Sequence, residues 1–339
     1  MERKATAARG LAHALAQAAD YPRRGPGLRR LRRERFALAH STTVRCARWL
    51  AALGAILLAT LATAAPATRS VRDDTDARVT VPAANCRIVS LAPGTTAMLF
   101  AAGAGRCVVG TIAHSQEPAE ASSVPIVGDA ETLDFEQLLA LRPTTVVVAV
   151  DVVQRVRIDR IRALGIPVYQ VHVTALAQMP ESLRRLGALT ATESAAEARA
   201  AAFAAELAAI VERYRGRAPV RVLYQIWDRP IYTIGGHHVI TDALAVCGAS
   251  NIFAELATAA PAVSREAAIL RDPDLILISA PPASAGEWLA EWRRFTSVRA
   301  VREGRIMTYT DERMDRMGPS VIEATASLCE LVDGARAAD

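Results

Sequence analysis

The chain has 339 residues, of which 51% are hydrophobic and 22% charged, so it can form one large core or two ordinary domains. This composition excludes a disordered, collagen-like or small disulfide-stapled protein. The formal charge is +5, but residues 1–64 hold 12 basic and 3 acidic side chains, leaving 28 basic and 32 acidic ones afterwards. Because the basic excess is confined to the N-terminal segment, we expect no nucleic acid partner.

Residues 1–64 are predicted to be an N-terminal leader and signal peptide. Arg45 and Arg48 precede an uncharged run rich in Leu and Ala, and small residues at 62–64 suit a signal peptidase. The run is shorter than the roughly 20 residues of a membrane-spanning helix, so we predict cleavage near Ala64 rather than an uncleaved anchor. Residues 1–43 are unusually long for the segment that precedes a signal peptide. This length suggests that translation starts at Val44, if its codon is GTG, rather than at Met1.

After Pro82, short apolar strands alternate with helical patterns, which is typical of parallel sheets covered by helices. The predicted strands are 87–91, 108–112, 145–150, 168–173, 220–227, 232–234, 275–279 and 305–310. The predicted helices are 95–102, 135–141, 153–164, 239–247, 265–270, 286–294 and 319–331. The pattern predicts an α/β protein with two Rossmann-like lobes and mostly parallel sheets, at residues 82–190 and 217–335.

Residues 193–214 contain no Gly or Pro and are dominated by strong helix formers. A helix of this length spans about 33 Å, and Leu207, Ile210 and Val211 give it an apolar stripe. We therefore predict one rigid connecting helix within residues 191–216, since a loose linker would be rich in Gly, Ser or Pro.

One short pattern occurs in both halves, 130 residues apart. Residues 134–143 read DFEQLLALRP and residues 264–273 read SREAAILRDP; both have a helix-capping residue, a Glu two positions later and a Pro seven positions after the Glu. Glu136 and Glu266 would then be equivalent carboxylates of two lobes, suited to a twofold-symmetric partner with basic residues. The alternative is simple stabilisation of each helix terminus.

Four cysteines follow the leader, and export favours disulfides. Their spacing contains no Cys-x-x-Cys pair, so a zinc or thioredoxin-type site is not expected. Of the three possible connectivities we favour Cys86–Cys107 with Cys247–Cys329, one bond in each half; the alternative is four buried thiols.

Catalytic patterns are not found: the sequence has no Gly-x-Ser-x-Gly, His-Glu-x-x-His, Walker or dinucleotide-binding motif. The side chains of the adjacent His237 and His238 would point in opposite directions on an extended segment, so they could bind one metal ion together only if the chain turned there. His114 follows the second predicted strand, where ligand loops of open parallel sheets often lie. We predict no enzyme, no metal site and no cofactor; an exported enzyme of the same architecture would need a convergent Cys, His and Glu set.

Six motifs between residues 86 and 332 carry a resemblance to a known family. They are RIVSLAPGTT (87–96), GTI (110–112), LLALRP (138–143), YTIGG (232–236), CGASNIF (247–253) and VSRE (263–266). Together they resemble the periplasmic solute-binding proteins of ABC importers for cobalamin, haem and ferric siderophores. The resemblance implies two lobes joined by one long helix, a ligand cleft between them, and a periplasmic protein that we expect to be monomeric.

The resemblance is greatest to the cobalamin-binding members. Cys247 and Cys329 match a pair that is disulfide-bonded there. Glu136 and Glu266 match the carboxylates that dock onto Arg residues of the dimeric inner-membrane permease, which works with ATPase subunits. The resemblance thus implies an ABC permease as the partner and a transported metal chelate as the ligand.

Cobalamin is the expected ligand, and a ferric siderophore is the alternative because Arg313 and Arg316 suit its carboxylates. Haem is less expected, because haem binders tend to have a Tyr where this chain has Gly128-Asp129-Ala130. Trp227 and Tyr232 could cover a corrin, although Ala130 and Ala260 stand where cobalamin binders can have Trp. The predicted ligand-binding residues are Pro93, Gly94, Thr95, His114, Ser115, Asp129, Trp227, Tyr232, Met314, Asp315 and Arg316.

Overall fold

The computed structural model describes residues 67–129, 131–150 and 152–336. The predicted leader, its cleavage site and Ala130 lie outside these residues. Within them, no helix is long and apolar enough to cross a membrane.

Over its described residues, the first lobe consists of a hairpin, a parallel sheet and four α-helices besides short 3-10 turns. Its strands are β1 (Thr68–Arg72), β2 (Arg78–Pro82), β3 (Ile88–Ser90), β4 (Val108–Gly110), β5 (Thr145–Ala149) and β6 (Val168–Val171). Its helices are α1 (Pro93–Ala101), α2 (Phe135–Ala140), α3 (Arg155–Ala163) and α4 (Met179–Thr190). The antiparallel pair β1–β2 ends at Pro82, the residue at which the first lobe was predicted to begin.

The connecting helix α5 (Glu193–Tyr214) has the bounds that the sequence predicts. Its buried face begins with Ala196, Ala200 and Phe203. The small side chain of Ala196 packs closely on Gly187 of α4. Of the predicted apolar stripe, Leu207 and Ile210 pack on the core, whereas Val211 is 40% exposed. The prediction is therefore wrong for Val211.

The second lobe contains six further strands and six helices. The strands are β7 (Val220–Trp227), β8 (Ile231–Thr233), β9 (Ala249–Asn251), β10 (Ala262–Val263), β11 (Leu275–Ile278) and β12 (Ile306–Thr308). The helices are α6 (Val239–Val246), α7 (Arg265–Leu270), α8 (Pro282–Trp292), α9 (Arg299–Arg302), α10 (Glu312–Arg316) and α11 (Val321–Arg336).

Both lobes have the same arrangement of parallel strands. The first sheet has the order β4-β3-β5-β6, and the parallel strands of the second have the order β9-β7-β11-β12, with β8 and β10 added antiparallel. Counting only the parallel strands of each sheet, the first strand along the chain (β3 or β7) therefore lies between the second and the third. The predicted α/β fold with two lobes and a long connecting helix is confirmed.

One buried apolar cluster extends through both lobes along α5. It includes Met98 and Tyr169 of the first lobe, Phe203 of α5, and Leu244 and Leu328 of the second lobe. Relative movement of the lobes would disturb this shared packing, so the fold favours a nearly fixed separation between them.

Of the four cysteines among the described residues, two form a disulfide. Cys247, which follows α6, is bonded to Cys329 of α11. The predicted bond between Cys86 and Cys107 is not formed, because both are free thiols in the structure. They are hydrogen-bonded instead: the bond from Cys86 lowers the pKa of Cys107 to about 7, while the same contact and burial raise the pKa of Cys86.

Candidate functional site: the strand ends of both lobes

Ligands of open parallel sheets bind beyond the carboxyl ends of the strands. In the first lobe, the turn between β3 and α1 is held by hydroxyl groups. The Thr95 hydroxyl lies 2.7 Å from that of Ser90 and donates to the Ala92 carbonyl at 2.9 Å. Thr95 is 2% exposed, so its side chain stabilises the turn and does not reach an open cleft surface.

Gly94 and α10 form a close contact between the lobes. A Cβ atom on Gly94 would lie 2.2 Å from the Arg316 carbonyl oxygen, so only glycine permits this approach without a shift. Met314 is fully buried, and its side chain is therefore part of the core in this structure. Pro93 is half-buried in the first turn of α1.

The two arginines of α10 already form ion pairs with carboxylates. Arg316 forms an ion pair across the lobes, with its Nη1 3.6 Å from Oε2 of Glu117, and it also contacts Glu312. Arg313 donates from Nε and Nη2 to Asp311 at 2.9 and 2.7 Å. Neither guanidinium is left unpaired for an anionic ligand.

His114 and Ser115 lie on the loop after β4. His114 is exposed and has a φ of 67°, a left-handed conformation that is uncommon outside glycine. Ser115 is 4% exposed, and its Oγ has no hydrogen-bond partner among the described residues. A buried unpaired hydroxyl is energetically unfavourable, so Ser115 is available to a ligand group or a water.

Asp129 organises its own loop. Its Oδ1 accepts hydrogen bonds from the backbone N–H groups of Thr132 and Glu131 and from the Thr132 hydroxyl, at 2.6, 2.8 and 3.0 Å. These bonds lower its pKa, so the carboxylate is charged at neutral pH. Together with Arg157 it borders a small apolar hollow at the strand ends, lined by Leu91, Ile112, Leu133, Val152 and Val153.

Trp227 and Tyr232 form an aromatic surface on the second lobe. They are paired across β7 and β8 and are 53% and 38% exposed. The Trp227 ring stands edge-on to Trp288, with ring centroids 5.9 Å apart. Because Trp288 is buried, it supports an indole that is otherwise open to solvent.

Asp315 is the remaining predicted residue on the second lobe. It is exposed at the surface, but desolvation by surrounding protein and then the charges of Asp311 and Glu312 raise its pKa. A ligand amide that donates to this carboxylate would relieve part of the penalty of its charged form.

Sequence reasoning missed the residues that support this site. Trp288 lies within α8, where nothing in the local pattern marks it as a support for Trp227. The five apolar residues of the hollow look like ordinary strand ends, and Glu117 has no motif. No group of three or more His, Cys, Asp or Glu side chains in the described ranges could hold a metal ion.

The two predicted docking carboxylates lie on matching helices. Asp134 caps α2 by accepting from the Gln137 N–H at 2.9 Å, and Ser264 caps α7 by accepting from the Ala267 N–H at 3.1 Å. Glu136 and Glu266 are both exposed. The internal repeat thus extends from sequence to local structure.

The comparison with family models decides the class of protein. The model described as "Periplasmic binding protein" matches residues 88–312, about two thirds of the chain. The chain belongs to the periplasmic binding protein family. The resemblance drawn from the six motifs is therefore confirmed. This family is a class of solute-binding proteins rather than enzymes, and its members are substrate-binding components of ABC importers that work with a permease and an ATPase.

Individual relatives agree with this class. The chain is 26% identical over 244 residues to a vitamin B12-binding protein of Vibrio parahaemolyticus, covering 72% of this chain and 88% of that one. The periplasmic vitamin B12 binding protein BtuF of Vibrio cholerae superposes with a TM-score of 0.68 at 24% identity, covering 74% and 98%. The periplasmic heme-binding protein RhuT of Roseiflexus sp. RS-1 gives 0.64 at 25% identity, covering 75% and 99%.

Proposed function

We propose that this member of the family captures cobalamin, or a closely related corrinoid, and delivers it to an ABC permease in the inner membrane. The observation that carries the proposal is the exposed Trp227 indole at the carboxyl end of β7, held edge-on by Trp288. A flat, largely apolar macrocycle is the kind of ligand that such a surface covers well.

The polar groups of the two lobes also suit a corrinoid. The corrin periphery carries neutral amides, which donate and accept hydrogen bonds. The site offers the unpaired Ser115 hydroxyl and the carboxylates of Asp129 and Asp315, while the adjoining hollow is apolar. Relatives named as vitamin B12-binding proteins support the same ligand.

A ferric siderophore or haem fits the site less well. An anionic siderophore would have to displace Glu117 from Arg316 or Asp311 from Arg313. On the first lobe, the loop before α2 has Asp129 bound to its own backbone rather than a Tyr that could ligate haem iron. Both ligands therefore serve as comparison compounds in the test.

The second part of the proposed function is delivery of the bound corrinoid to the permease. A protein exported through the leader and released near Ala64 would act as a periplasmic monomer. The partner would be a homodimeric permease with its ATPase subunits, and Glu136 and Glu266 would contact basic residues of its two equivalent subunits. Because the lobes share one core along α5, we infer that loading changes their separation only slightly.

Calorimetric titration of protein purified from the periplasm tests the ligand. We expect tight binding of cyanocobalamin and none of haemin or a ferric siderophore. Trp227→Ala should weaken cobalamin binding at least tenfold, and Trp227→Phe should restore part of the affinity. Tyr214→Phe, which changes an aromatic side chain buried on α5, is the control. Binding of a siderophore without cobalamin would reassign the protein to iron uptake.

A further inference from the structure

Two large apolar side chains are exposed on the helices that carry the predicted docking carboxylates. Leu270, at the end of α7, is 85% exposed, and Leu139 of α2 is 45% exposed. Single exposed leucines are common on protein surfaces. Here one exposed leucine lies on each of the two repeated helices, at positions one residue apart in the repeat, since the 130-residue offset aligns Leu139 with Ile269 and Leu270 with Ala140.

Helix geometry places each leucine beside its glutamate. Residues three or four apart on a helix are neighbours on one face, and Glu136 precedes Leu139 by three positions while Glu266 precedes Leu270 by four. The opposite face of each helix is anchored, since Leu138 and Ala268 are fully buried. Each lobe therefore presents a carboxylate and an uncovered leucine side by side.

The two helices are held in the same way. Each begins at a side-chain cap, and the residues that follow, Arg142 and Asp272, both have left-handed backbones, with φ of 46° and 42°. Each helix then leads into the third parallel strand of its sheet, β5 or β11. Two equivalent surface elements suit a partner with two equivalent receiving sites, as in a twofold dimer.

The arginines near these two carboxylates contact other side chains. Arg265 pairs with Asp228 at 2.8 Å, Arg271 pairs with Glu255 at 2.5 Å, and Arg160 stacks on Phe135 with its guanidinium carbon 4.0 Å from the ring centre. Among the described residues, neither Glu136 nor Glu266 forms an ion pair. The negative charges are left for cations supplied from outside the chain.

We propose that Leu270 and Leu139 are the apolar anchors of a two-point docking surface, made of Glu136 with Leu139 and Glu266 with Leu270. The partner is the permease dimer, and each of its subunits offers a basic side chain next to an apolar recess. This inference rests on the proposed function. Apolar anchors bordered by charged groups commonly dominate interface energies, and the more exposed Leu270 is the stronger of the two.

The test measures binding to the cobalamin permease–ATPase complex of the same organism in lipid nanodiscs. Leu270→Asp and Leu139→Asp should each weaken binding about tenfold or more, with the larger loss for Leu270. Leu270→Ser repeats the test without adding charge. Val156→Asp, at a 69% exposed site on α3, is the matched control and should bind like wild type. Thermal unfolding and cobalamin affinity should stay unchanged in all four.

The outcomes separate this inference from the proposed function. Wild-type protein that binds cobalamin but not the permease complex would overturn the docking role and the leucine anchors together. Wild-type binding that is weakened by Glu136→Gln and Glu266→Gln but not by the leucine variants would overturn the anchors alone. An equal loss in Val156→Asp would also overturn them, because the effect would then be one of added charge anywhere on the surface.

Discussion

Arg265 and Asp228 form an ion pair that is almost entirely withdrawn from water. Nη2 of Arg265 donates to Oδ1 of Asp228 at 2.8 Å, and the two side chains are 16% and 6% exposed. Gln225 donates to the same carboxylate at 3.3 Å and accepts from the Trp292 indole at 2.6 Å. Asp228 follows Trp227 of the candidate site and Arg265 precedes Glu266, so this pair joins the proposed ligand surface to α7, the second of the two helices proposed to dock.

Among the described residues of the first lobe, this ion pair has no equivalent. The position that matches Arg265 in the repeat is Phe135, which is covered by Arg160 of α3. The two helices proposed to dock therefore differ in how they are fixed: α7 by a buried charge pair and α2 by a cation–π contact. A shift of the Trp227 segment on ligand binding would be transmitted to Glu266 through the Asp228–Arg265 ion pair, whereas Glu136 has no such direct connection to Trp227.

Asp228→Asn should reduce the free energy of unfolding by about 3 kcal/mol, because it leaves the Arg265 charge buried without its counterion. Urea unfolding followed by circular dichroism measures the change. Glu197→Gln is the matched control, since it removes a carboxylate from an exposed pair with Arg184 and should lower the free energy of unfolding far less. A loss at Asp228 no larger than that of the control would contradict the importance of burial.

Gly94→Ala should destabilise the protein by about 1–3 kcal/mol and weaken ligand binding. The added methyl group would meet the Arg316 carbonyl, which is backbone and cannot rotate away, so the lobes must shift. Gly286→Ala makes the same chemical change within α8, where nothing lies within 4 Å, and should stabilise by up to about 1 kcal/mol. Urea unfolding measures both changes. A lower free energy of unfolding for Gly94→Ala and a higher one for Gly286→Ala would confirm that the contact between the lobes causes the destabilisation.

The sequence predicts the elements whose signals are local. The bounds of α5, α7 and β7 agree with the prediction. An uninterrupted run of helix formers defines α5, the capping Ser264 defines the start of α7, and a continuous apolar segment defines β7. Helix α4 was missed although Pro180 lies in its first turn, which is a helix-start signal. The hairpin β1–β2 was missed because it lies between the leader and the first predicted strand.

The candidate site is less predictable because it depends on contacts between distant parts of the chain. Thr95 and Met314 have residue types that could contact a ligand, but packing buries both. Arg316 looks like an anion-binding residue until Glu117 of the other lobe is found beside it. The sequence predicts Trp227 as a ligand-binding aromatic together with Tyr232, whereas the support of Trp227 by Trp288 is visible only in the folded structure.

Stability should decrease in acid partly through Asp311. Arg313 holds the pKa of this carboxyl below its ordinary value of 3.8, so its contribution is complete above that value and is lost as the pH falls below it. Asp311→Asn should therefore reduce the free energy of unfolding by roughly 1 kcal/mol at neutral pH. The difference from wild type should shrink in urea titrations below about pH 4. A difference that does not depend on pH would show that the Arg313 contact does not act through this charge.

Charge reversal at both docking carboxylates should abolish uptake without changing ligand affinity. Glu136→Arg with Glu266→Arg would place cations against the basic residues expected on the permease, and like charges at an interface cost several kcal/mol. Uptake of labelled cobalamin by cells that lack the chromosomal copy measures the first effect, and calorimetry measures the second. Glu330→Arg, on the exposed face of α11, is the control for added positive charge. Loss of cobalamin affinity in the double variant would place the carboxylates in the cleft, whereas normal uptake would remove them from the docking surface.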